Sequence, residues 1–152
     1  MTVTPTPKSS AGAGRRFGYA VAALVNAVLL YAVNVWPGWE AVPFLTSDTP
    51  QVLGLVNASI AVSLAANVVY AIFDRAWLKA LGDMLTIGVG LAALLRIWHV
   101  FPFDFAGTSF DWALVVRIIL GMAIVGSVIG IVTAFVSFVK SVGASGRNDG
   151  RS

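Results

Sequence analysis

Four stretches of this chain run for twenty residues or more with almost no charge: Phe17–Trp36, Val52–Phe73, Ala80–Phe101 and Trp112–Phe138. A hydrocarbon core about 30 Å thick takes about 20 helical residues. Each stretch is long enough to cross once, and the fourth is long enough to tilt or project. None alternates apolar and polar residues as a barrel strand must, and all are too long for one. The expected fold is an all-α membrane protein, a four-transmembrane-helix bundle. Composition agrees, because only 11% of the 152 residues are charged where a soluble domain has about 25%.

The first stretch follows Arg15 and Arg16, as a secretory signal would. It ends in the bulky sequence YAVNVWPGWE rather than a small-residue cleavage site, so it reads as a retained anchor. The domain plan is a flexible tail over 1–16, a membrane domain over 17–139 and a second flexible tail over 140–152. Both tails are rich in Ser and Gly. Such a lead, followed by Ala/Val-rich spans, is common among small bacterial membrane proteins. The expected location is therefore the plasma membrane.

Charge placement predicts direction. Lys8, Arg15, Arg16, Arg75, Lys79, Lys140, Arg147 and Arg151 fall on one side of the spans. The other side holds only Glu40, Asp48, Asp104 and Asp111. The positive-inside rule then puts both termini in the cytoplasm. The net charge of +3 follows from this topology and is not a nucleic-acid patch. Trp36, Trp39, Trp98 and Trp112 mark the outer boundary, and Tyr70 and Trp77 the inner one.

Two span ends resemble each other. LLYAVNVWP (29–37) and LLRIWHVFP (94–102) share Leu, Leu, Val and Pro at a constant offset, and each precedes a loop holding TSD or TSFD. The simplest account is two repeated helical hairpins, related by a rough two-fold along the membrane normal. Asn34 then occupies the place of His99, and Tyr31 that of Arg96.

Helices in lipid gain little by hiding apolar surface from each other, so small residues and polar contacts hold them together. Each span has such a face. They are Ala20, Ala23, Ala27, Tyr31 and Asn34 in the first, then Ser59, Ser63 and Asn67 in the second. The third has Gly82, Thr86, Gly90 and Ala93, and the fourth Gly126, Gly130 and Ala134.

Three charged residues enter the spans, all near the edges. Asp83 lies four residues after Lys79, an easy ion pair. Arg96 and Arg117 should lie at similar depth under the outer surface, below Glu40, Asp48, Asp104 and Asp111. One reading has the arginines fastening both loops through those carboxylates and lipid phosphates. A sharper one has Arg96, His99 and Arg117, with Asn34 close by, forming an outward-facing pocket for an anionic or polar ligand. Asn26, Asn57, Ser63 and Asn67 string polar groups through the first two spans as a candidate path.

Catalysis has little to work with. The chain has no cysteine and one histidine, so a haem or metal site lacks partners and no cofactor is expected. No phosphate-binding loop, dinucleotide fingerprint, zincin or nucleophile-elbow motif occurs. The expected protein is a non-enzymatic structural or accessory subunit, in contact with the lipid bilayer and associating laterally as a homo-oligomer or in a larger membrane complex. The alternative is a small oligomeric transporter or channel.

Overall fold

Each apolar stretch folds as one uninterrupted α-helix in the computed structural model, which describes residues 8–148. The order is α1 (Lys8–Asn34), a single 3-10 turn (Trp39–Ala41), α2 (Pro50–Ile72), α3 (Ala76–Val100) and α4 (Trp112–Asn148). All four helices are long and apolar enough to cross a membrane. The protein is a small, multi-pass, all-helical integral membrane protein.

Helix boundaries follow local chemistry. Pro50 opens α2, where its missing N–H removes nothing and its fixed φ suits the first turn. Asp111 caps α4 by accepting the Leu114 N–H at 3.0 Å. Helix α3 stops at Phe101, which sits in the left-handed region with φ 44°. Pro102 follows and cannot continue the helix. The helices also run past the expected spans, since α1 already includes Arg15 and Arg16 and α4 extends through Lys140. Those parts of the expected tails are helical. Residues 1–7 and 149–152 lie outside the described residues.

Neighbours in sequence are neighbours in space: α1 packs on α2, α2 on α3 and α3 on α4. Among the described residues α1 and α4 do not touch, so the helices form an open row rather than a closed ring. The seams are built from small residues. A side chain at Gly82 would strike the ring and hydroxyl of Tyr70 on α2, and one at Gly90 would meet Ser59. At Gly130 of α4 it would press on Ile87 of α3. Close approach of this kind is what association in lipid requires. The expected stripe on α3 therefore faces α2.

Two expected stripes need correction. On α1 only Ala23 of the expected set is buried, while Ala20, Ala27 and Tyr31 are exposed. The face toward α2 keeps Asn34 of the expected set and adds Tyr19, which meets Tyr70. On α4, Ala134 is buried but Gly126 has open space around it.

Candidate functional site

At the end where α1 and α3 finish, two loops meet. Thr46 donates its N–H to the Pro102 carbonyl at 3.0 Å, and Asp104 donates to the Phe44 carbonyl at 2.9 Å. This two-bond antiparallel bridge pairs Leu45 with Phe103. Phe103 can reach it because the chain reverses tightly at Pro102, where the Phe103 N–H donates to the Phe101 carbonyl at 2.8 Å. Pro102 itself is fully buried. Around the bridge, Phe44, Phe103 and Phe105 stack with ring centroids 5.8 to 6.4 Å apart. Against them opens a cavity of about 540 Å³ lined by Phe44, Phe103, Asp104, Phe105, Trp112 and Val116, among others.

The expected polar cluster does not assemble there. Arg96 reaches across to α2 and donates through Nε to the Gln51 carbonyl at 3.3 Å. Arg117 rests its guanidinium over the Phe101 ring at 4.2 Å, with Trp98 at 5.7 Å. Arg96 and Trp98 are two residues apart on α3, so they project about 200° apart. Arg96 of α3 therefore points toward α2, whereas Arg117 of α4 lies against the opposite side of α3. His99 turns back to its own helix, its Nδ1 2.8 Å from the Leu95 carbonyl.

The carboxylates are occupied locally. Asp111 caps α4, Asp104 accepts the Ala106 N–H at 2.8 Å, and Asp48 accepts from the Gln51 amide at 3.0 Å. Neither arginine pairs with any of them. The two ion pairs found among the described residues are Arg15–Asp74 and Lys79–Asp83, both at the other end. Glu40, in the 3-10 turn, takes part in neither. A carboxylate that caps a helix or closes a turn satisfies a nearby N–H group without ordering a long side chain. That local solution wins over a distant guanidinium.

The asparagines of the first two spans are engaged by hydrogen bonds, whereas the buried Thr86 hydroxyl on α3 has no partner among the described residues. Asn34 and Asn57 exchange amide hydrogen bonds at 2.9 and 2.8 Å across the α1–α2 seam. Asn34 was expected in the outer cluster and Asn57 in the path, and they form one fastener instead. Asn26 donates to the Ala22 carbonyl, and Asn67 to the Ser63 carbonyl, each one turn back.

The other end holds a polar knot that charge counting reached only in part. Lys79 and Asp83 pair at 2.8 Å, as the spacing predicts. Tyr70 completes the knot: its hydroxyl donates to Asp83 and faces the Lys79 carbonyl, both at 3.0 Å, and its ring meets Tyr19 edge-on. Only 6% of Tyr70 is exposed, so it is a packing residue and not part of an interfacial belt. Arg15 latches α1 to the α2–α3 turn through Asp74 at 3.0 Å.

Sequence reasoning missed Gln51, the phenylalanine cluster and the seat of Arg117. One signal was present. Phe101, Phe103 and Phe105 alternate with period two, which is strand spacing just after a helix, and both loops contain Pro-Phe. Comparison with known proteins finds no matching family model, no curated relative and no similar solved structure.

Proposed function

We propose that this integral membrane protein is a non-enzymatic structural or accessory subunit that associates laterally in the plasma membrane of a bacterium. The observation that carries this reading is the open row. Helices α2 and α3 are flanked on both sides, whereas α1 and α4 each keep one side without a helix partner. Glycines on those outer helices, Gly14 and Gly18 on α1 and Gly126 on α4, have nothing within 4 Å of where a Cβ would stand. Small residues left uncovered are places where another helix can approach closely.

The sequence likeness between hairpins sharpens the proposal. If α1–α2 and α3–α4 are divergent copies, the α2–α3 seam is the contact between copies. The same kind of contact is unmade at α4 and α1 of the row, and α4 packing on α1 of a second chain would supply it. The charge asymmetry supports an orientation with both termini in the cytoplasm. The transporter or channel reading has less to stand on, because Asn26, Asn34, Asn57 and Asn67 are engaged with helix carbonyls or one another.

The chain lacks cysteine, which makes cross-linking clean. With Leu24→Cys and Ile129→Cys together, both exposed and near mid-span, oxidation in native membranes should give a covalent dimer. Ala23→Cys with Leu120→Cys, both buried in seams, should not. A chain that stays monomeric, co-purifies with nothing and conducts solute in liposomes would overturn the reading in favour of transport. For orientation, an impermeant maleimide added from outside should label Ser109→Cys and leave Ala13→Cys unlabelled.

A further inference from the structure

Arg117 stands in the membrane zone, five residues inside α4, or about 8 Å below the helix start. Its guanidinium nevertheless rests over Phe101, the first residue beyond α3, so the side chain has climbed toward the surface. It makes no ion pair or hydrogen bond among the described residues. The carboxylates that would neutralise it are used in a cap and in turns. The Phe101 and Trp98 rings hold the guanidinium in place, and its N–H donors, without a hydrogen-bond partner among the described residues, are free to bind an anion.

One ring away lies a site of opposite character. Phe101 meets Phe103 edge-on at 5.3 Å, and Phe103 lines the 540 Å³ cavity, a volume typical of small-molecule sites. The lining includes Asp104, whose second carboxylate oxygen has no partner among the described residues, and the rings of Phe44, Phe105 and Trp112. No basic residue lines it. A carboxylate among aromatic rings attracts an organic cation. Lower on α4, and about 100° and 140° around the helix from Arg117, Ile118 and Met122 are exposed and apolar.

From outside inward, then, the surface presents a cation-attracting pocket, an unpaired guanidinium and an apolar helix face. We propose that this surface binds a zwitterionic phospholipid. Its phosphate sits on Arg117, its ammonium enters the pocket at Asp104, and its acyl chains lie along α4. Lateral assembly is not required for this site.

The test uses the full-length protein in a mild detergent and native mass spectrometry of bound lipid. Dioleoyl-phosphatidylethanolamine and dioleoyl-phosphatidylglycerol are compared, with soluble phosphoethanolamine as competitor. The unmodified chain should retain the ethanolamine lipid about threefold better than the glycerol lipid. Arg117→Gln should lower retention of both about tenfold, and Arg117→Lys should restore most of it. Asp104→Asn should bring the ethanolamine lipid down to the level of the glycerol lipid. This variant reads the selectivity in a folded chain even where Arg117→Gln fails to fold. Equal retention of the two lipids by the unmodified chain overturns the proposal. So does an Asp104→Asn variant that keeps the preference, or an Arg117→Gln variant that binds as well as the parent. Displacement by soluble phosphoethanolamine at matching concentration also overturns it, because the headgroup alone would then be the ligand.

Discussion

The two ends of this protein solve the same problem in opposite ways. At the basic end, both carboxylates among the described residues find cations within the chain: Lys79 pairs with Asp83, Arg15 with Asp74, and Tyr70 ties the first pair to α2. At the acidic end, carboxylates and guanidiniums lie in the same region yet never meet. The carboxylates cap and turn, Arg96 finds a carbonyl, and Arg117 finds aromatic rings. The knot at the first end is closed by its own chemistry, although Arg16, Arg75, Lys140 and Arg147 there make no ion pair among the described residues, whereas the second end keeps a cation beside aromatic rings and a carboxylate oxygen available. Connection length contributes. The basic-end turn between α2 and α3 is only Phe73 to Arg75, which holds side chains close, while the acidic-end loops are long enough to build local caps and a β-bridge.

The strongest way to break the comparison is at Gly82, where the basic-end knot depends on close helix approach. Gly82→Val places a branched side chain into the ring of Tyr70. The expected loss is about 2–3 kcal/mol, at the upper range for overpacking, read as a shift in the midpoint of denaturation by sodium dodecyl sulfate in mixed micelles. A loss under about 0.5 kcal/mol would mean the α2–α3 seam is looser than described. At the acidic end, Asp111→Ala should cost about 1 kcal/mol, the usual worth of an N-cap. Asp111→Asn should recover most of that. If the role of Asp111 were instead to neutralise an arginine, the asparagine would fail as badly as the alanine.

Most of the architecture was legible because bilayer crossing is a requirement on composition over twenty residues, and composition is what a sequence displays. The α3 stripe of Gly82 and Gly90 was legible too, since close packing in lipid leaves few alternatives to glycine. The site was far less so. Whether Asp104 pairs with Arg96 or closes its own turn depends on a contest between a local N–H and a guanidinium on another helix, and no spacing rule decides it. The stacking of Arg117 depends on Phe101 taking a left-handed conformation, which most residues avoid. Asn34 and Asn57 were each visible as polar anomalies, but their partnership required knowing which faces of α1 and α2 meet.

That pair supplies a third, smaller test. Asn34→Leu and Asn57→Leu each remove both reciprocal hydrogen bonds, so a double-mutant cycle isolates the coupling. About 0.6 kcal/mol is expected, with about 1.7 as the ceiling for polar pairs between membrane helices. Coupling near zero in the same denaturation assay would show that the amides find other partners. The α1–α2 hairpin would then rest on shape alone.

The smallest expected effect separates the two ends most cleanly. Lys79→Gln removes one member of a partly exposed i, i+4 pair and should cost roughly 0.3–0.5 kcal/mol. Arg117→Gln removes a cation that no carboxylate among the described residues pairs with, and only its ring contacts are lost. In detergent without added phospholipid its expected cost is about 0.5–1 kcal/mol, the worth of an exposed cation–π contact. The two numbers overlap, so the discriminating variable is what is added. Zwitterionic lipid should stabilise the parent and the Lys79→Gln variant equally, because Lys79 lies at the opposite end from the proposed lipid site. It should stabilise Arg117→Gln much less, because the acidic end has lost the group that was left open. Equal stabilisation of all three would show that lipid acts on the helices in general, and the distinction between a self-satisfied end and an available one would fail.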